Sequence, residues 1–524
     1  MKWKIERLSA FAVAMMAAMG LDAKVTMGTP FADGMVLQRG RNVPVWGWAE
    51  VGDEVTVAFA DQKIKTTAGA DGKWRVDLAP MAASTESREL TVSVLNSANA
   101  KWSNLWGVFA SRQDDERITI RDVLVGEVWY CCGQSNAEFP LVGQNPRFRD
   151  RQGALVAQMT YRPYVRFAYC SNYRPSAEPK ARADYKVAWQ MFTPDNLTSG
   201  HSFSAVGVYY ALELYAALEV PVGIIGSYWG GTRAEPWTPR EGFAATKGCE
   251  KEASYQPKVA DFKPEQMNAL GYSRQTIRDQ PMVLWNEMVE PWTPYAMRGF
   301  IWYQGCSNAK DYANYATIMH ALYNGWSKRF ENPELKLYFV QLAPWGQPII
   351  PYIQQAQARF EAEEKNAGMA VINDLGNLHD IHPNEKELVA KRLALHALKR
   401  DYGFSGIEDC SPVLKEWKAD GNRFVLTFDH AKELYVYNSD RSFTTGFELA
   451  GDDGDFKPAK IVNAVKTMVE GREMRLGRLE GAKIVLEANG VKEPKKLRYL
   501  YSRPWFGSIY NEVNLPLGAF HIGD

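Results

Sequence analysis

Little in this sequence offers a foothold to a metal ion, a nucleic acid or a membrane. The 524 residues include only six cysteines and seven histidines. No C-x-x-C pair and no His/Cys cluster with zinc spacing occurs, so neither a disulfide scaffold nor a structural zinc is indicated. Cys131 and Cys132 are adjacent at the end of an apolar run and are expected to be buried thiols. Charge of one sign is also missing: Lys+Arg and Asp+Glu both number 61, giving a formal net charge of zero. Nothing in that balance points to the basic surface of a nucleic-acid binder or to an acidic tail. Internal repeats and low-complexity segments are absent. Beyond the first residues there is no apolar run long enough to span a membrane. The N-terminus itself is basic at Lys2, Lys4 and Arg7, then apolar from Leu8 to Leu21, and ends in Leu21-Asp22-Ala23. Residues 1–23 read as a signal peptide, with a retained N-terminal anchor as the alternative, and imply a secreted or periplasmic protein.

The composition is globular, with 46% hydrophobic and 23% charged residues. The length calls for two to four domains. Seventeen tryptophans and 25 tyrosines are plentiful; such residues often line sugar sites but more often fill cores and interfaces. Residues 24–100 alternate in short strand-like runs, such as Glu54-Val55-Thr56-Val57-Ala58-Phe59, with Asp71-Gly72 as a hairpin signal. They predict a small N-terminal β-sandwich. Residues 101–120 read as an irregular, charged linker. From 121 to 402 apolar strand-like runs alternate with amphipathic helical stretches. The strands are expected at 123–131, 164–169, 221–227, 298–303, 335–342 and 369–374, and the helices at 204–218, 312–330, 351–365 and 384–400. This pattern predicts an α/β domain, a doubly wound parallel sheet with helices on both faces. Residues 240–297 are mixed and predict loops around a site. Strand patterning returns over 411–524 as a C-terminal β domain.

Four strand ends carry the chemistry. The first, Leu124 to Pro140, reads LVGEVWYCCGQSNAEFP: a buried strand that closes at Gly133 and delivers Ser135 just past its C-terminal end. The C-terminal edge of such a sheet is where ligands bind. A helix starting there would aim free N–H groups at an anionic intermediate over Ser135, although Ser is also a common N-cap. The second, Ser227-Tyr228-Trp229-Gly230-Gly231-Thr232, permits backbone N–H groups to converge as an oxyanion hole does, or is a plain tight turn. The third is Gln304-Gly305-Cys306-Ser307-Asn308, whose amides can donate to an oxyanion or hold a loop. The fourth is His379-Asp380-Ile381-His382-Pro383, where Pro383 opens a helix and holds His382 just before it. Of the seven histidines only His379 and His382 follow a parallel strand.

These stretches resemble the sialate O-acetylesterase family of SGNH-type esterases. The similarity lies in LVGEVWYCCGQSNAEFPL, GIIGSYWGGTRAEPW, GFIWYQGCSNA and DIHPNEKELVAKRLALHAL. FADGMVLQRGRNVPVWGWAEVGDEVTV, KADGNRFVLTFDHA and TGFELAGDDGDFKPA extend it to the terminal β regions. The resemblance implies an SGNH-like sheet flanked by N-terminal and C-terminal β domains. It implies Ser135 as nucleophile, His382 as general base and Asp380 as the acid that orients it. Gly231, Gln304 and the Ser135 N–H would serve the oxyanion. Asn308, Arg233 and Trp237 would contact substrate. Neither a metal nor an organic cofactor is implied. The sequence departs from the family at Cys306, where QGESN has a glutamate. Asp374, at a strand end, rivals Asp380 as the orienting acid, and a Ser–His dyad with a backbone partner is the third alternative.

Two functions from different classes follow. One is an exported serine esterase that removes O-acetyl groups from carbohydrate through an acetyl-enzyme on Ser135. O-acetylated sialic acid is the first candidate substrate, and acetylated xylan-type plant polysaccharide the second. The other is a non-catalytic glycan-binding protein on a hydrolase scaffold, for which only Cys306 speaks. The partner expected in either case is an O-acetylated sugar or glycan, not nucleic acid.

Overall fold

A computed structural model describes residues 25–95, 116–145, 147–170, 174–198, 203–258, 277–437, 444–469, 472–501 and 506–523. Residues 1–23, read as a signal peptide, lie outside them, as do 101–115 of the expected linker.

The spine is one long strand, β1 (Glu116–Gly133). Its second half is almost wholly buried, as the apolar run Val123 to Tyr130 requires. Around it lies a mostly parallel sheet. The other strands are β2 (Arg162–Tyr169), β3 (Trp189–Phe192), β4 (Val222–Tyr228), β5 (Gly299–Tyr303), β6 (Lys336–Val340) and β7 (Ala367–Ala370), and the order is β3-β2-β4-β1-β5-β6-β7. Of these seven strands only β3 runs antiparallel, at one edge. Successive β1 residues point to opposite faces. Trp129 packs edge-on to Tyr210 of α2 (Ala205–Leu218), and Tyr130 packs on Trp326 of α3 (Tyr312–Arg329). Helices therefore cover both faces. Next to α2 packs α5 (Lys386–Arg400), and next to α3 packs α4 (Ile350–Glu363). This is an α/β fold, and its strands and helices fall within a few residues of the positions that the apolar periodicity predicts.

The first half of β1 departs from expectation. Residues 116–120 were expected in a linker but are strand, pairing antiparallel with Ser84–Leu95. Charged residues Glu116, Arg117 and Arg121 hide this segment, because a half-exposed strand keeps polar side chains on its outer face. Through this pairing Glu54–Phe59 and Gln62–Thr67 join the same sheet, while Thr26–Met27, Val43–Trp48 and Lys73–Leu78 form a three-stranded second layer. The N-terminal β region shares one continuous hydrophobic cluster with the α/β part. Asp71-Gly72 does form a turn, with Gly72 at φ +72°. It is not a hairpin, since the strands on either side belong to different sheets. Beyond Pro412 the described residues form a seven-stranded and a four-stranded sheet around a separate apolar cluster.

The register decides where the site falls. Tyr228 and Tyr303 both lie opposite Gly133 in the ladder, so β4, β1 and β5 end at one level. Gly133 has φ +136°, and a Cβ there would sit 2.4 Å from the Tyr303 carbonyl oxygen, so only glycine fits.

Candidate active site

Directly after β1 the chain turns into a four-residue helix, α1 (Ser135–Glu138). Ser135 occupies its first position. His382 arrives from the loop after β7, and its Nε2 lies 2.9 Å from Ser135 Oγ. On the other side of the ring, Nδ1 lies 3.0 Å from Asp380 Oδ1, which also accepts the His382 backbone N–H at 2.9 Å. This fixes the tautomer: Nδ1–H donates to Asp380, and Nε2 is left to accept the serine proton. Phe139 and Phe148 pack against the imidazole and confine it. Asp374, the rival acid, is committed elsewhere, in a two-bonded ion pair with Arg392 at 2.6 and 2.7 Å. His379 is exposed, and its backbone N–H donates to Asn377 Oδ1.

His382 is held below the ordinary histidine range, first by burial and then by the charge of Lys386, against the opposing pull of Asp380. A depressed histidine is neutral at pH 7 and ready to accept a proton.

The β4 loop lies over the serine. A Cβ on Gly230 would stand 3.3 Å from Ser135 Cβ. The Gly230 N–H donates to Glu138 Oε2 at 2.6 Å, tying the loop to α1. Arg278 donates to the carbonyls of Gly230 and Gly231 at 2.9 and 3.0 Å and lies over the Trp229 ring. The guanidinium turns both carbonyls toward itself and so fixes the peptide planes of the loop. Gly231 takes φ +72°, and a Cβ there would meet Arg278 at 2.7 Å. Among the described residues neither the Ser135 nor the Gly231 N–H has a hydrogen-bond partner.

The β5 loop is scaffold. Gln304 is fully buried, its amide hydrogens donate to the Thr232 carbonyl (3.1 Å) and Asn308 Oδ1 (2.8 Å), and Tyr315 donates to its oxygen. It therefore cannot turn a donor to an oxyanion and instead joins the β4 and β5 loops. Asn308 is equally enclosed: it donates to Glu235 Oε2 at 2.9 Å and accepts the Ala234 N–H at 3.0 Å. Trp237, expected at the substrate, is 0% exposed, and its indole donates to Thr232 Oγ1. Its aromatic bulk is core. Arg233 is partly exposed but already ion-paired with Glu235 and Asp311. Burial pushes the Cys306 thiol up to about 12, so it is neutral. All six cysteines are unpaired.

Sequence reasoning missed Glu138, Arg278 and Lys386. Lys386 did carry a signal: a cation in the first turn of a helix opposes the helix dipole and needs a reason to be there.

Residues 125–399 match the family described as carbohydrate esterase, sialic acid-specific acetylesterase. The chain belongs to this family. The esterase is 26% identical over 451 residues to a sialate O-acetylesterase of Rattus norvegicus, covering 78% of this chain and 79% of the rat protein. The Homo sapiens sialate O-acetylesterase is likewise 26% identical over 451 residues, covering 79% and 78%. A solved carbohydrate acetylesterase from Xanthomonas citri superposes with a TM-score of 0.76 at 28% identity, covering 95% of this chain and all of that one. The esterase is thus a carboxylic ester hydrolase of the class that acts on O-acetylated carbohydrate.

Proposed function

We propose that the protein is an exported serine esterase that removes O-acetyl groups from carbohydrate, O-acetylated sialic acid foremost, on an SGNH-type sheet flanked by two β domains. The observation that carries the proposal is the unbroken line Ser135–His382–Asp380, at 2.9 and 3.0 Å, on the rim where β1 and β4 end. Ser135 Oγ attacks the acetyl carbonyl carbon as its proton passes to His382 Nε2. The oxyanion is met by the Ser135 and Gly231 N–H groups, and each such donor is worth about 3 kcal/mol of barrier. The C–O bond to the sugar then breaks, and His382 returns the proton to the leaving sugar hydroxyl. Water attacks the acetyl-enzyme with His382 again as base, releasing acetate and restoring Ser135. No step in this sequence calls for a metal or organic cofactor.

The intact line counts against the non-catalytic glycan-binding reading. Export rests on the basic and apolar pattern of residues 1–23. The substrate is tested by assaying the purified protein on O-acetylated sialic acid against acetylated xylan. Faster release from the sialic acid, measured as kcat/KM, is expected. A preference for xylan would move the substrate to plant polysaccharide, and no acetate from either would refute the proposal.

A further inference from the structure

The catalytic line leaves one buried charge unused. Lys386, the first residue of α5, is 0% exposed. Its ammonium donates to Asn136 Oδ1 and lies between two rings, 4.6 Å from the centroid of Phe139 and 4.9 Å from that of Tyr303. Asn136 follows the candidate nucleophile directly. Its own amide donates to the Ile381 carbonyl at 2.9 Å, and Ile381 directly precedes His382. One side chain thus joins the start of α5, the serine turn and the histidine loop. The Lys386 backbone N–H donates to Asp150 Oδ2 at 3.1 Å, and Tyr209 donates to the other oxygen, which anchors the start of the helix.

The groups that act on this ammonium are Asp150, Cys306, Glu385 and Asp380. No carboxylate among the described residues forms an ion pair with it. Asp150 is held by Tyr209 and backbone N–H groups, Glu385 pairs with Arg151, Asp380 with His382, and Cys306 is a neutral thiol. Burial brings the ammonium down to about 7. Its positive charge in turn disfavours protonation of His382, which also faces Asp380 and Ser135.

We propose that Lys386 is a positioning residue for the esterase reaction: through Asn136 it locks the serine turn to the histidine loop, and its charge keeps His382 in the base form. On the acidic side of pH 7, where His382 takes up its proton, the ammonium is charged, and cation–π contact with two rings, in place of a carboxylate, leaves that charge uncompensated. An ion pair would cancel the effect on His382. The proposal rests on the Ser135–His382 reading of the site.

The experiment is the pH profile of kcat and kcat/KM on a small acetyl ester for wild type, Lys386→Met, Asn136→Ala and Ser135→Ala, with melting temperatures. Lys386→Met removes the repulsion, so the acidic limb should move to higher pH while KM stays the same. Asn136→Ala keeps the ammonium and breaks the link, so kcat should fall about ten- to a hundredfold from lost alignment, with no upward move of the limb. A lysine that served only folding would shift the melting temperature and leave the limb in place. If Lys386→Met does not fold, Lys386→Gln, which keeps an amide donor for Asn136, supplies the uncharged variant. If neither folds, an unchanged kcat in Asn136→Ala overturns the proposal by itself. A folded, uncharged variant with wild-type kcat and an unmoved limb overturns it as well. An active Ser135→Ala would instead bring down the reading of the site on which the proposal depends.

Discussion

Asp380→Asn separates orientation of the base from the rest of the machinery. Asp380 Oδ1 accepts both the backbone N–H and Nδ1–H of His382, at 2.9 and 3.0 Å. An amide in its place can present its NH2 to Nδ1, which favours the tautomer with Nε2 protonated and unable to take the serine proton. At a fully buried triad aspartate this change costs about 10⁴ in kcat. The Asp380 side chain is 36% exposed, so water can replace part of its effect. A loss of about 10²–10³ is expected, or roughly 3–4 kcal/mol of barrier. The pH profile adds a sign. The Asp380 charge and hydrogen bond raise the His382 pKa, so removing them should move the acidic limb to lower pH, opposite to Lys386→Met. Asp374→Asn is the control. It breaks the Arg392 pair, whose side chains are only 9% and 12% exposed, and should cost about 3 kcal/mol of stability. Turnover per folded molecule should hold. The assay is hydrolysis of a small acetyl ester across pH, with thermal unfolding in parallel. If Asp374→Asn lost the turnover and Asp380→Asn kept it, the orientation argument would be refuted.

Three further outcomes follow from the same geometry. Gly231→Ala must accommodate a Cβ at φ +72° and 2.7 Å from Arg278, so the donor loop should shift and kcat fall about 10²–10³-fold with KM little changed; unchanged kcat would remove Gly231 from the oxyanion site. Trp237→Ala should lose about 3–5 kcal/mol of stability without raising KM for sugar substrate per folded molecule, and a raised KM at wild-type stability would restore a binding role. Cys306→Glu places a carboxylate within reach of the Lys386 charge, so a generic ester and a sugar ester should change together and the acidic limb should move up in pH; altered sugar preference alone would assign the position to substrate contact instead.

The four strand ends were legible because each is a short apolar run closed by glycine or followed by a polar cluster, and β1, β4, β5 and β7 do lead into those four stretches. Ser135, Asp380 and His382 meet because their local patterns survive without knowledge of packing. The first half of β1 was not legible, since its pairing partner, Ser84–Leu95, is remote in sequence and its outward face is charged. Gln304, Asn308 and Trp237 look chemical in sequence, yet what they do depends on partners and burial. The amides are saturated by Thr232, Glu235 and each other, and the indole is inside the core. Lys386 and Arg278 are the converse. A basic residue at a helix start or in an irregular stretch reads as a solvated charge until the rings and carbonyls around it are known.

The central claim is that Ser135 forms the covalent acetyl intermediate. Ser135→Ala keeps the backbone donors but removes the Oγ that lies 2.9 Å from His382 Nε2. With circular dichroism and melting temperature confirming a folded protein, turnover of a small acetyl ester should vanish. In wild type quenched during turnover, mass spectrometry should find the acetyl group on the peptide that carries Ser135. Near-wild-type turnover by the folded variant, or an acetyl group on another residue, would contradict the account.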